Sequence, residues 1–202
     1  MKLVAAIAMT LVAGAAQAAT ITTGPGPGTG TAITLDPADF TGSGPCGTGQ
    51  SVVGDGCSVV PKNAPGASDA FGRFDPLGGV WIDSQDLSEV VWTVSNDVAF
   101  TSLTFALTDA YDQNNSFFDL LADDATWSID ERQADGNLYW VTVTFDQPVQ
   151  EAQLTFQTRL NDGWGVSSAT IAPIPLPAAA GLLLSGLGAL ALIRRRKAAA
   201  RA

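Results

Sequence analysis

Residues 138–145 read LYWVTVTF, and this stretch decides the fold class of the chain. Its odd positions carry Tyr, Val, Val and Phe, while its even positions carry Leu, Trp, Thr and Thr. Successive side chains of a β-strand point to opposite faces, so this period of two predicts a half-buried strand. Turn residues at 135–137 (Asp-Gly-Asn) and 146–148 (Asp-Gln-Pro) predict where the strand begins and ends.

Other short runs rich in β-branched and aromatic residues lie on both sides of this stretch. They are separated by polar turns and occupy residues 80–82, 90–94, 100–108, 154–156 and 166–171. No long stretch between residues 80 and 172 has helical spacing. About seven short strands without alternating helices predict a mainly β fold, a single antiparallel β-sandwich or jelly-roll domain.

The five tryptophans of the chain are candidates either for core packing or for exposed platforms that stack on sugars. We expect four of them to be buried or half-buried, because tryptophan area stabilises a small β domain. Trp164 lies between Gly163 and Gly165 in a turn, and we predict that it is the exposed one, a candidate ligand contact.

The charge of the chain is divided unevenly. All 20 acidic residues but only four of the 10 basic ones lie within residues 19–173, which gives this body a net charge of about −16. Such a field repels phosphate backbones, so we expect no nucleic-acid partner. The chain also has no histidine, which removes the commonest general base and most zinc chemistry. We therefore expect a protein that is not an enzyme, with no catalytic residue and no required cofactor.

Cys46 and Cys57 are the only cysteines and lie in a Gly/Ser/Asp-rich loop. In an oxidising compartment they are expected to form one disulfide that closes a small loop. A reactive or metal-binding thiol pair is the alternative.

Oxygen-bearing side chains are concentrated after the predicted strand 100–108. Asp109, Asp112, Asn114 and Asn115 offer carboxylate and amide oxygens, the ligands that calcium prefers. The loop lacks the glycine and terminal glutamate of an EF-hand, so a polar turn with Asx-type hydrogen bonds is the alternative. Calcium is accordingly an optional ion in this interpretation.

Two further interpretations of the acidic residues, a catalytic pair and a structural turn, remain open. Paired carboxylates serve glycosidases, and Asp123 with Asp124, or Asp109 with Asp112, are the pairs to consider. Residues 161–165, Asn-Asp-Gly-Trp-Gly, predict a tight glycine-dependent turn, with calcium ligation by Asp162 as a weaker alternative.

The amino terminus has the pattern of a secretory signal peptide. Lys2 precedes an apolar run over residues 3–16, and Ala16-Gln17-Ala18 supplies small residues at a cleavage site. We predict cleavage after Ala18, so that the mature chain begins at Ala19, outside the cytoplasm.

The carboxyl terminus has the pattern of a membrane segment. Residues 178–193 carry no charge and span roughly 24 Å as a helix, short of a hydrocarbon core of roughly 30 Å. Including Leu176 and Pro177 brings the helix close to spanning. The basic cluster that follows predicts a cytoplasmic end in the inner membrane, with the body on the far side.

This terminus resembles the VPLPA variant of the PEP-CTERM sorting signal of Gram-negative bacteria, with isoleucine in place of the first valine. The resemblance covers residues 174–201 only. It implies recognition by an exosortase, a membrane-embedded cysteine protease or transpeptidase, and transfer of the body to the cell surface or an exopolysaccharide matrix. The residues that carry it are Ile174, Pro175, Leu176, Pro177, Ala178, Arg194, Arg195 and Arg196.

The sequence thus predicts a signal peptide (1–18), a Gly/Pro-rich lead-in with a disulfide loop (19–79), the main β body (80–172) and a sorting signal with a membrane helix (173–202). Residues 19–172 are taken as one domain. The predicted function is that of an exported, non-enzymatic surface or matrix protein. The alternatives are a calcium-assisted carbohydrate-binding module and a permanently tail-anchored envelope protein.

Overall fold

The computed structural model describes residues 18–43, 52–53, 56–57, 59–62, 72–159 and 161–174. In these residues the chain forms antiparallel β-structure and one short 3-10 helix, Pro37–Asp39, without an α-helix. The predicted mainly β, antiparallel class is confirmed. The strands are β1 (Ala19–Gly24), β2 (Thr31–Ala32), β3 (Phe40–Ser43), β4 (Val52–Val53), β5 (Gly56–Cys57), β6 (Val60–Lys62), β7 (Trp81–Asp83), β8 (Glu89–Thr108), β9 (Phe118–Ala122), β10 (Ala125–Ile129), β11 (Leu138–Thr158) and β12 (Gly165–Pro173).

Both predicted terminal helices lie outside the described residues. Within the part of the chain that the structure describes, no helix is long and apolar enough to cross a membrane.

Strands β8 and β11 form the centre of the sheet. They have 20 and 21 residues and pair along most of their length, from Leu138↔Thr108 to Gln157↔Glu89. The first part of β11 lies between β8 and β1, and its last part lies between β8 and β9. The full order is β10-β9-β11-β8-β12-β7-β6, with β1 on β11, β2 on β12 and β3 on β8; β4 and β5 pair separately.

The sheet folds over, so that its two halves pack face to face. Trp92 and Phe105 are 13 positions apart in β8, which corresponds to about 40 Å in a straight strand, yet their ring centroids are 5.5 Å apart. Phe105 also contacts Phe156 from the far part of β11, at 5.9 Å. One continuous apolar core therefore lies between the halves. The finer class, sandwich or jelly roll, stays a prediction.

The predicted strand end at residues 146–148 is wrong, because β11 continues through it. The register with β8 shifts between Thr144 and Val149, and again before Glu151. Proline has no N–H to donate to a ladder, so Pro148 is tolerated at such an irregularity. The runs 90–94 and 100–108 likewise belong to one strand, β8.

The alternation predicted for residues 138–145 is found in the structure. Val141, Val143 and Phe145 are buried, whereas Leu138 and Thr144 are exposed. Four tryptophans are at most 7% exposed, and the most accessible is half-buried Trp127.

Substitution of neighbouring β11 residues should report this two-sided burial. Val143→Ala is expected to lower the free energy of unfolding by roughly 1.5–3 kcal/mol, because a fully buried side chain loses its apolar contacts. Thr144→Ala, on the exposed face, should change it by less than about 0.5 kcal/mol. Urea unfolding followed by tryptophan fluorescence measures both. Equal losses would contradict the observed facing of the strand.

Candidate metal-binding site

Most of the buried acidic residues lie along one edge of the sheet, the edge that is formed by the ends of strands. The end of β8 pairs with the start of β11 and with the start of β12, since Thr108 lies opposite both Leu138 and Gly165. Gly165 in turn lies opposite Asp83 at the end of β7. The connections that leave these strands therefore meet, although their residues lie far apart in the sequence.

Arg73 is the basic centre of this edge. Its side chain is 8% exposed and donates to Asp83 through Nη1 at 2.8 Å and to Asp86 through Nη2. Its Nε lies 3.5 Å from Oδ2 of Asp109. Lys62 approaches Asp83 at 3.6 Å from the opposite side. One buried guanidinium thus holds together two carboxylates from the end of β7 and the connection after it, and a third from the connection after β8.

Asp109 follows β8 directly and is 1% exposed. It has a φ of 61°, a left-handed conformation that aspartate tolerates better than most residues. Its Oδ1 accepts a hydrogen bond from the backbone N–H of Gly136 at 3.0 Å. Burial raises the pKa of Asp109 to about 7, opposed by the Gly136 hydrogen bond and the charge of Arg73 and assisted by Asp112 and Asp135.

Asp112 and Asp135 complete a carboxylate triad with Asp109. One ligand oxygen from each of the three lies within 4.8 Å of the other two. Asp109 is buried, Asp112 is half-buried and Asp135 is exposed, so the triad opens to solvent on one side. It lines a cavity of about 260 Å³ that also reaches Arg73. Such a triad has the chemistry to hold a metal ion.

Asp162 is a fourth carboxylate next to this triad and is 2% exposed. Its Oδ2 accepts from the Thr158 hydroxyl at 3.4 Å, whereas its Oδ1 has no hydrogen-bond partner among the described residues. Burial raises the pKa of Asp162 to about 6, and neighbouring Asp112 raises it further, whereas polar groups of Ser116 and Gln113 lower it.

Two glycines allow the chain to approach these charges closely. A Cβ on Gly72, whose φ is 91°, would collide with Asp135 and would lie 2.8 Å from Oδ1 of Asp109. A Cβ on Gly163 would collide with Arg73 and Asp86. The edge therefore requires glycine at both positions.

The structure brings together only part of the predicted calcium set. Asp109 and Asp112 share the cavity, whereas Asn114 and Asn115 are exposed and do not line it. Arg132 donates to the side-chain oxygen of Asn114 at 3.3 Å, and Arg159 donates to the backbone oxygen of Asn115 at 2.6 Å. The two asparagines thus contribute to the anchoring of the loop.

Asp135 was not predicted as a metal ligand, and Asp162 was predicted only as a weaker alternative. Asp135 was visible as part of a turn before β11, but its proximity to Asp109 depends on the pairing of Leu138 with Thr108. Asp162 was placed in a glycine turn, and its burial follows from the neighbouring start of β12. The alternative pair Asp123 and Asp124 is exposed at the turn between β9 and β10.

The prediction that Trp164 is exposed is wrong. Trp164 is 0% exposed and stacks on Phe156, with ring centroids 4.4 Å apart and planes 25° from parallel. Its backbone N–H donates to the Ser84 hydroxyl at 2.9 Å. The flanking Gly163 and Gly165 allow this turn to pack closely against Arg73. They do not expose the tryptophan ring.

The remaining predicted sites fall mostly outside the described residues. This applies to Cys46, to the side chain of Cys57, to Pro175 through Ala178 and to Arg194 through Arg196. Only the backbone of Cys57 is described, in β5. Ile174 is described: it is 37% exposed, and its N–H donates to the carbonyl of Ala99 at 3.1 Å.

Comparison with known proteins places the chain in no family. No protein-family model matches it, and no curated protein matches it. Among solved structures, a family two carbohydrate esterase from Cellvibrio japonicus is similar at 14% identity and a TM-score of 0.30, over 79% of this chain and 36% of that protein. This chain therefore spans about a third of that esterase's length, and a likeness at this score carries no argument about activity.

The raised pKa of Asp162 predicts how stability depends on pH in the metal-free protein. The folded state holds this proton more tightly than the unfolded chain, whose aspartate pKa is about 3.9. Stability is therefore expected to fall as pH rises from about 4 to about 7. Asp162→Asn should reduce the fall by roughly 2 kcal/mol, since a pKa unit corresponds to about 1.4 kcal/mol.

Urea unfolding in the presence of a metal chelator, at pH 4 and pH 7.5, measures this difference. Asp146→Asn is the matched control, because Asp146 is exposed and lies near the far end of the first part of β11. An unchanged pH dependence in Asp162→Asn would contradict the raised pKa.

Proposed function

We propose that this chain is an exported, non-enzymatic protein of the cell surface or extracellular matrix. A signal peptide directs its β domain across the inner membrane, and an exosortase-type enzyme processes its C-terminal signal. The observation that carries the proposal is the coincidence of boundaries. Strand β1 begins at Ala19, directly after the predicted cleavage site, and β12 ends at Pro173, directly before the sorting motif at Ile174.

The positions of these two strands suit removal of both terminal segments. All six residues of β1 pair with β11, from Ala19↔Phe145 to Gly24↔Trp140. The last pair of β12, Pro173↔Phe100, lies at the end of its ladder. Cleavage before Ala19 or beyond Ile174 therefore leaves every described strand intact.

The charges of the body argue against a nucleic-acid partner. Of the four basic residues in residues 19–173, Arg73 is buried among carboxylates and Lys62 is paired with Asp83. Arg132 and Arg159 donate to the loop that follows β8. All four cations are therefore bound to acidic or polar groups of the body. They do not form a basic patch that could bind phosphates. The expected partners are the processing enzyme, the inner membrane during sorting, and exopolysaccharide.

The carbohydrate-binding alternative loses the platform predicted at Trp164, which is buried, and would depend on Phe117 or half-buried Trp127 instead. Permanent anchoring by the C-terminal segment is a second competitor. It differs from the proposal in one respect, the fate of residues 175–202.

Intact-mass and peptide analysis of the protein from a Gram-negative host with an exosortase tests the proposal. The mature form is expected to begin at Ala19 and to lack residues 181–201. A mature form that keeps residues 181–201 would establish permanent anchoring instead. Pro177→Ala is expected to accumulate the unprocessed form, because it removes a proline of the sorting motif. Ile174→Val, which restores the common motif, is the control and should be processed normally.

Cleavage after Ala18 should create a new ion pair at the start of β1. The backbone N–H of Ala19 donates to Oδ1 of Asp124 at 3.2 Å, and cleavage turns this nitrogen into an ammonium group. The hydrogen bond from Asp146 N–H to the Ala18 carbonyl is lost in exchange. In the cleaved chain, Asp124→Asn is expected to cost about 0.2–1 kcal/mol more than in the uncleaved chain.

This extra cost should be present at pH 6 and absent at pH 10, because an α-amino group loses its proton near pH 8. Urea unfolding of both chain forms at both pH values gives the comparison, with Asp123→Asn as a control that removes the neighbouring charge. The same cost in both forms would show that the pairing does not depend on cleavage.

A further inference from the structure

We propose that Asp109, Asp112, Asp135 and Asp162 together bind one calcium ion at the edge of the sheet where β8 ends and β11 and β12 begin. This inference concerns the β domain itself and does not depend on how the chain is sorted. It replaces Asn114 and Asn115 of the sequence prediction by Asp135 and Asp162.

The first argument is the balance of charge. The edge holds six carboxylates, three of which surround Arg73, namely Asp83, Asp86 and Asp109. Among the described residues, the other cations near this edge are Lys62, which also approaches Asp83, and Arg132, which donates to the backbone oxygen of Asp112 and not to a carboxylate. Within the described residues, Asp112, Asp135 and Asp162 form no ion pair. Carboxylates this close together repel one another when ionised, so a divalent cation between them relieves a cost that the protein's own cations leave in place.

The second argument is the unpartnered oxygen of Asp162. This residue is 98% buried, and its Oδ1 has no hydrogen-bond partner among the described residues. Its carboxylate lies against that of Asp112, which belongs to the triad. Its two sequence neighbours, Asn161 and Gly163, line the same cavity. A buried carboxylate oxygen without a donor is costly, and a metal ion bound beside Asp112 would offset that cost.

The third argument is the space kept open beside the triad. Asp109, Asp112 and Asp135 all line one cavity, which is bounded on its other sides by residues such as Gln113 and Asn161. The site therefore has room for an ion and its remaining ligands within a cavity of about 260 Å³.

The chemistry of the ligands favours calcium, and the oxygen spacing is compatible with it. Calcium binds six to eight oxygens at 2.3–2.6 Å, so oxygens on opposite sides of the ion are separated by about 4.6–5.2 Å. The triad oxygens lie within 4.8 Å of one another. Magnesium requires a tighter octahedron and keeps most of its water. Because the four side chains offer only carboxylate oxygens, softer metals that prefer nitrogen or sulfur are disfavoured.

Isothermal titration of the full chain in detergent micelles with CaCl2, after treatment with a chelator, tests the proposal. We expect one saturable site per chain, weaker binding of MgCl2, and a higher unfolding temperature with calcium, because the ion binds only the folded state.

Asp135→Asn is the decisive variant, because Asp135 is exposed and its replacement should leave the fold intact. It is expected to weaken calcium binding at least tenfold, and Asp162→Asn should do the same from the buried side. Asp146→Asn removes the same charge about 25 Å along β11 and should change the affinity by less than twofold. Circular dichroism of each variant establishes that it is folded.

Two outcomes would overturn the proposal. One is the absence of saturable calcium binding up to millimolar concentration. The other is binding that Asp135→Asn and Asp146→Asn weaken equally, which would mean general attraction to an acidic surface. Neither outcome bears on the processing of the termini, since that is read from the mass of the mature chain.

Discussion

The pairing of β8 with β11 is the constraint on which the rest of the structure depends. Each strand is about 20 residues long, and the two bend together, so that their halves face each other across the apolar core. Every other strand of the large sheet attaches to this pair directly or through one or two intervening strands. The register of the pair also fixes which loops meet at each edge, and therefore which carboxylates share a cavity.

Electrostatic repulsion is concentrated where these loops meet. A body with five acidic groups for each basic one could place them all in solvent, yet six of the described carboxylates converge around Arg73 and its neighbours. Burial raises the pKa of Asp109 and of Asp162 in the absence of a cation. The edge is thus held by one guanidinium on one side and is left with excess negative charge on the other.

The sequence predicts the local features of the fold well and its long-range features poorly. The alternation in residues 138–145 correctly indicates the buried face of β11, because that pattern depends only on neighbouring residues. The continuation of β11 past Pro148 was not predictable from composition, since a register shift absorbs the turn residues. The meeting of Asp135 with Asp109 depends on the pairing of strands 30 residues apart. For Trp164, the flanking glycines suggested an exposed turn, whereas they permit close packing against Arg73.

The places of the first and last strands impose an order on the formation of the domain. β1 pairs with a segment about 120 residues later in the chain, and β12 lies in the interior of the sheet, between β8 and β7. A chain threaded through a membrane pore from its amino terminus would expose β1 long before its partner emerges. The interior position of β12 would stay vacant until nearly the whole body had crossed. Until then, the unpaired edges of β8 and β7 would need protection from aggregation.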